Sequence, residues 1–157
     1  MTIRLATHAD IPFLRAMIWE AVLASPAYIA AHHGLDALHQ AEDQRWSAWQ
    51  PAADPAFIAV NATGRSVGAL TLRPHGADAG SGWQLGLGVV AEARGHGVGR
   101  QLVEHAIAFL QTRQAGYLTL FVDEVNAPAV ALYRCTGFVA VGVEQHVIEM
   151  RVVFATS

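Results

Sequence analysis

LGLGVVAEARGHGVGRQLVEHAIAFL, Leu85 to Leu110, is the stretch of this 157-residue chain that decides the fold. From Trp83 to Val90 it reads as a strand with Gly86 and Gly88 inside it. Interior glycines weaken a strand and mark a bulge or something lying close to the backbone. A turn rich in glycine follows, Arg94-Gly95-His96-Gly97-Val98-Gly99. Val98, Leu102, Val103, Ala106, Ile107 and Leu110 then recur at helical spacing. Glycines at 95, 97 and 99 let the backbone turn tightly and bring several N–H groups to one side. The first amides of the helix have no partner within it and carry the positive end of its dipole. Such a cradle suits a pyrophosphate.

Upstream, Thr2 to Ala6 alternates as a short strand, with Ile3 and Leu5 on one face. Thr7 with Asp10 three residues on has the form of a helix cap. Ile11, Leu14, Ile18 and Val22 continue at helical spacing until Ser25-Pro26 interrupts. A more polar helix is predicted from Asp36 to Gln50, with Leu35, Leu38, Trp46 and Trp49 on one side. Phe57–Val60 and Ser66–Leu72 are strand-like runs around the turn formers Asn61 to Gly64, which predicts a hairpin. His75 to Gly82 reads as the most flexible loop.

Downstream, Tyr117–Val122 is another strand, and Asn126 caps a short helix with Pro128 in its first turn. Gly137 ends that helix, and strands follow over Phe138–Val141 and His146–Val153. The order β-α-α-β-β-β-α-β-α-β-β, with no repeat or linker, predicts one α+β domain spanning residues 1–157.

Composition excludes whole classes of function. All ten basic residues are arginine, so a Walker lysine, a Schiff-base lysine and a Ser–Lys dyad are ruled out. Net charge is −3, which offers no basic stripe to nucleic acid. One cysteine, Cys135, excludes an internal disulfide and any multi-cysteine zinc site. No apolar run reaches the ~18 residues of a membrane span, and Arg4, His8 and Asp10 break any leader-like core. A cytoplasmic protein without membrane attachment is expected. Apolar residues reach 53% and charged ones only 15%. That excess predicts a large core, and a buried homodimer surface would produce it equally well.

Three cradles compete for the Gly-rich turn. A Walker loop lacks its lysine, and a dinucleotide fingerprint forced onto Gly86, Gly88 and Ala91 opens no helix. An exposed strand-to-helix turn with no ligand is the plain alternative. The third resembles the Arg-x-x-Gly-x-Gly loop of the GNAT N-acetyltransferases, with Arg94, Gly97 and Gly99 in place and Val89 five residues before the arginine. NAPAVALYRCTGF, Asn126 to Phe138, resembles the same family's downstream pattern, with Asn126, Ala129, Leu132, Tyr133, Gly137 and Phe138 in register. Two motifs about 30 residues apart in the right order are far more specific than one. The resemblance is strong from Trp83 to Phe138 and rests on element order alone before Arg73.

It implies the GNAT fold: a mixed, mostly antiparallel sheet with helices on both faces, and a bulged strand splaying from its neighbour. Acetyl-CoA is the implied co-substrate. The backbone of Leu87, Gly88 and Val89 would pair with its pantetheine arm, and the Val89 N–H would stabilise the oxyanion. Amides of Gly95, His96, Gly97, Val98, Gly99 and Arg100 would hold the pyrophosphate, with charge from Arg94 or Arg100. Asn126 would contact the pantetheine region, or simply cap its helix. Tyr133 would be the general acid that protonates the departing thiolate, against the plain reading of a core tyrosine. Cys135 reads as a small buried residue.

No base stands out. Where some family members carry a glutamate, this chain offers Trp83 and Gln84, which leaves Glu20 and Glu124 as candidates. His32, His33 and His39 read as polar lining, and no metal is expected. Trp19, Tyr28, Trp46 and Trp49 read as core, or as an aromatic wall for an amine. The leading function is acetyl transfer to a primary amine of a small molecule or peptide. The alternatives are a non-catalytic acyl-CoA sensor and a toxin that acetylates charged tRNA. The negative charge speaks against the toxin.

Overall fold

The structure, a computed structural model, describes residues 1–77 and 81–155. Strand β1 (Thr2–Leu5) leads into a turn in which the Thr7 N–H donates to Asp10 Oδ2 at 2.8 Å. That carboxylate also takes both ends of the Arg4 guanidinium, at 2.8 Å each, and so ties β1 to the start of helix α1 (Ile11–Leu23). Where Ser25-Pro26 predicts only an interruption, a third helix appears, α2 (Pro26–Ala31). Proline is at home in a first turn, so the interruption doubles as a start. Helix α3 (Leu35–Ser47) ends earlier than expected. Trp49 lies beyond it, yet is buried and donates its indole N–H to the Asp54 carbonyl at 2.9 Å.

Strands β2 (Ala56–Val60) and β3 (Ser66–His75) form the predicted hairpin, its turn held by Asn61 Oδ1. Strand β4 (Gly82–Val89) pairs with β3 along its whole length. The predicted long loop is therefore shorter at both ends, and its residues 78–80 lie outside the described residues. Helix α4 (Val98–Thr112), β5 (Tyr117–Asp123), α5 (Ala127–Cys135), β6 (Val139–Glu144) and β7 (Val147–Val153) complete the chain.

The sheet runs β1-β2-β3-β4-β5-β7-β6, antiparallel except where β4 meets β5. Helices cover both faces. On one, Leu102, Val103, Ala106 and Leu110 of α4 are fully buried against Leu70, Leu72, Leu118, Leu120 and Met150. Fully burying each such leucine contributes roughly 1.5–3 kcal/mol. On the other face, α1 and α3 pack Leu14, Met17 and Trp46 on Ala56, Ile58 and Ala69.

The glycines inside β4 serve α1. A Cβ on Gly88 would lie 2.5 Å from the Met17 carbonyl oxygen, and one on Gly86 3.0 Å from Ile18 Cδ1. The close neighbour that the sequence predicts is thus a helix of the chain itself. Beyond β4 the register on β3 is unbroken, from His75↔Gly82 to Gly68↔Val89, so the expected bulge is absent.

Candidate active site

Strand β4 touches β5 through three residue pairs, the last of them Gln84↔Thr119. From Leu85 onward the two strands separate without a bulge. Val90 gives its N–H to the Val67 carbonyl at 2.9 Å. Backbone polarity alternates along a strand, so Leu87 and Val89 turn their N–H and C=O groups from β3 toward the gap. The gap opens into a cleft of about 850 Å³.

The Gly-rich turn closes one end of this cleft. Gly95 and Gly97 have φ of +78° and +80°, a left-handed backbone that side-chain-bearing residues rarely adopt. Among the described residues, no backbone carbonyl receives the amides from Gly95 to Arg100. Six consecutive donors are thereby free at the N-terminus of α4, where its dipole favours an anion. Gly99 has an ordinary φ and is needed for space: a Cβ there would sit 3.2 Å from Leu132 Cδ2.

Tyr133 closes the cleft from α5 and is 7% exposed. Its ring meets Phe138 edge-on, with centroids 5.7 Å apart. Burial raises the phenol above its ordinary pKa, so it holds its proton throughout the neutral range. Asn126 Oδ1 accepts from the Ala129 N–H at 3.3 Å, which makes it the helix cap. Its side chain also lines the cleft.

Leu87, Gly88, Val89, Arg94, Gly95, Gly97, Val98, Gly99, Arg100, Asn126, Tyr133 and Glu20 all line this one cleft. His96 does not. It points to a shallow hollow beside Met1, Asn61 and Glu92, because the left-handed residues on either side reverse the turn there. Glu124 is also outside, on the far side of β5, where it pairs with His146.

Glu20 reaches the cleft but accepts from Arg94 Nη2 at 3.0 Å, while Arg94 Nε donates to the Val89 carbonyl at 3.1 Å. Arg100 pairs with Glu104 one turn along α4. Cys135 is exposed, contrary to expectation, because two residues beyond Tyr133 the helix has turned to its solvent side.

Of the four aromatics, Trp46 and Trp49 are core, whereas Trp19 and Tyr28 line the cleft. His39 lies over Trp19 and His32 stacks on Tyr28. Among the described residues, no group of three His, Cys, Asp or Glu side chains is placed to hold a metal.

Sequence reasoning missed the far end of the cleft, lined by Glu42, Arg45, Thr71 and Arg73. Two periodicities held the signal: Leu38, Glu42 and Arg45 at i, i+4 and i+7, and Thr71 with Arg73 at alternate positions.

Residues 19–138 match the acetyltransferase (GNAT) family. The chain belongs to that family. A mycothiol acetyltransferase from Thermobispora bispora is 36% identical over 124 residues, covering 76% of this chain and 42% of the relative. The chain thus spans about two fifths of that protein's length. A ribosomal-protein-alanine N-acetyltransferase from Brucella melitensis superposes with a TM-score of 0.72 at 27% identity, covering 98% of this chain and 100% of that one. The yncA protein of Salmonella typhimurium, solved with its cofactor acetyl-CoA, shares the fold at a TM-score of 0.76 and 20% identity, with 100% and 95% covered. The GNAT fold expected from the two motifs is therefore the observed one, mostly antiparallel with helices on both faces.

Proposed function

We propose that this chain, acting as one catalytic domain, transfers the acetyl group of acetyl-CoA directly to a primary amine. One observation carries the reading. The unpaired amides of Leu87 and Val89, the free amides of Gly95, Gly97, Val98, Gly99 and Arg100 and a buried, protonated Tyr133 line a single cleft. The amides hold the pyrophosphate and the β4 edge takes the pantetheine arm as a strand would. As the amine attacks the thioester carbonyl, the Val89 N–H donates to the oxygen on which charge develops. Collapse of the tetrahedral intermediate breaks the C–S bond, and Tyr133 gives its proton to the leaving thiolate. The attacking nitrogen loses its proton to solvent, from which the Tyr133 phenolate regains its own, since Arg94 occupies Glu20 and Gln84 has no basicity to offer.

The test is release of free CoA thiol from acetyl-CoA with a panel of polyamines, aminoglycosides, amino acids and peptide N-termini. Saturable, amine-dependent release is the expected result. Tight acetyl-CoA binding without turnover of any amine would favour the sensor, a reading supported by the pairing of Glu20, the carboxylate nearest Val89 among the described cleft residues, with Arg94. The net charge of −3 speaks against the tRNA-acetylating alternative.

We assign the enzyme to the cytoplasm. The single cysteine is a free thiol, and no helix among the described residues is long and apolar enough to cross a membrane. A homodimer would cover edge strand β6, where Val139, Val141 and Val143 are exposed.

A further inference from the structure

Two cations stand at the far end of the cleft, and the acetyl-transfer reading gives them no task. Arg45 lines it from the last turn of α3, one turn beyond Glu42. Arg73 lines it from β3, beside its register partner Gln84 on β4. The Arg45 side chain is only 14% exposed, and its buried Nε has no hydrogen-bond partner among the described residues.

Its one ion pair among the described residues is loose. Arg45 Nη1 lies 3.8 Å from Glu42 Oε1, beyond hydrogen-bond reach. The other Glu42 oxygen accepts from the Trp46 indole N–H at 2.6 Å, and Arg45 lies over that ring at 4.7 Å. Burial disfavours the charged Arg45, and the like charge of Arg73 adds to this, while Glu42, Asp54 and Tyr28 oppose it. Arg73 forms no ion pair among the described residues.

A guanidinium held out of water beside a second one is costly until an anion joins them. Its planar fork of donors matches a carboxylate in two parallel hydrogen bonds. Of the two arginines at this end of the cleft, Glu42 stands beside one, which leaves a place for one negative charge rather than two.

We propose that Arg45 and Arg73 form a carboxylate subsite, and that the amine acceptor is a free amino acid. The proposal rests on the acetyl-transfer reading and names its substrate class. The carboxylate seats on the two arginines while the amino group reaches the thioester carbonyl near Val89. Trp19 and Tyr28, which line the same end, face the side chain.

The experiment compares CoA release with the twenty L-amino acids, their α-amides and O-phosphoethanolamine. At least one free amino acid should exceed its amide in kcat/KM by about 10- to 100-fold, the range for a lost charged hydrogen bond. Arg73→Gln and, separately, Arg45→Gln should bring that ratio near one, through KM, with acetyl-CoA affinity unchanged. Arg73 holds no ion pair and, unlike Arg45, no buried unpaired nitrogen among the described residues, so its variant serves if Arg45→Gln does not fold. Equal turnover of acids and amides, or preference for O-phosphoethanolamine, would overturn the subsite and leave acetyl transfer standing.

If no amine at all releases CoA, acetyl transfer is what fails, and binding judges the subsite. Calorimetric titration of the CoA-loaded protein should then give saturable heat with an amino acid but not with its amide, lost in Arg73→Gln. No heat from any amino acid overturns it.

Discussion

A phenol that is to protonate a thiolate must still hold its proton at the pH of reaction, and Tyr133 does so because it is buried. Tyr133→Phe should lower kcat by about 10- to 10³-fold, the range for losing a general acid in part. The dissociation constant of acetyl-CoA should change little, because the ring against Phe138 is kept. Turnover within twofold of wild type, with chemistry limiting the rate, would remove Tyr133 from the mechanism. The sign of the shift adds a second check. With its pKa raised above the ordinary value of about 10, the phenol gives kcat no reason to fall between pH 7 and 10. Tyr133 and Asn126 were legible because each sits in a patterned helix with a defined start. His96 and Glu124 were not, because side-chain direction in a turn is set by φ signs and contacts that spacing does not encode.

At the scale of elements, the turn before α4 depends on a left-handed Gly97. Gly97→Val should fold, since a Cβ there meets nothing within 4 Å, at a cost of about 1–3 kcal/mol in backbone strain. It should lose the rise in Tm that acetyl-CoA gives the parent, because relief of that strain rotates the row of amides. Gly64 in the β2–β3 turn has φ +84° and equal open space, so Gly64→Val is the matched control and should keep the rise. Gly88→Ala tests packing instead. Its Cβ would press on the Met17 backbone, so urea unfolding should show a loss of about 1–3 kcal/mol. Helix α4 was legible because its apolar face is regular from Val98 to Leu110. Helix α2 was missed and α3 was read with wrong limits, because a proline and a polar surface leave little period to follow. The place of β7 between β5 and β6 is a long-range pairing that no local pattern records.

For the whole molecule, a ligand that binds only the folded chain must stabilise it by mass action. Acetyl-CoA at about 100 times its dissociation constant should add about 2.7 kcal/mol, read as a higher Tm in a thermal melt. Net charge works in the opposite sense for nucleic acid. At −3 the chain should show no salt-dependent retention of tRNA at physiological ionic strength, and a steep salt slope would revive the toxin reading. The three-pair seam between β4 and β5 has a consequence for the way the protein breathes. Packing bridges that seam on the α4 face, where Leu70 and Leu85 share a core with Leu118 and Met150. The apolar core under α1 and α3 takes its strand residues from β2 and β3, with α1 close over the β4 glycines, and includes no residue of β5. The sheet is therefore bound like a book whose spine lies mainly on one side. Amide protons of Leu87 and Val89, on the open pages, should trade with deuterium quickly in the empty protein and slowly once acetyl-CoA fills the gap, while those of Leu70 and Met150 keep one pace throughout.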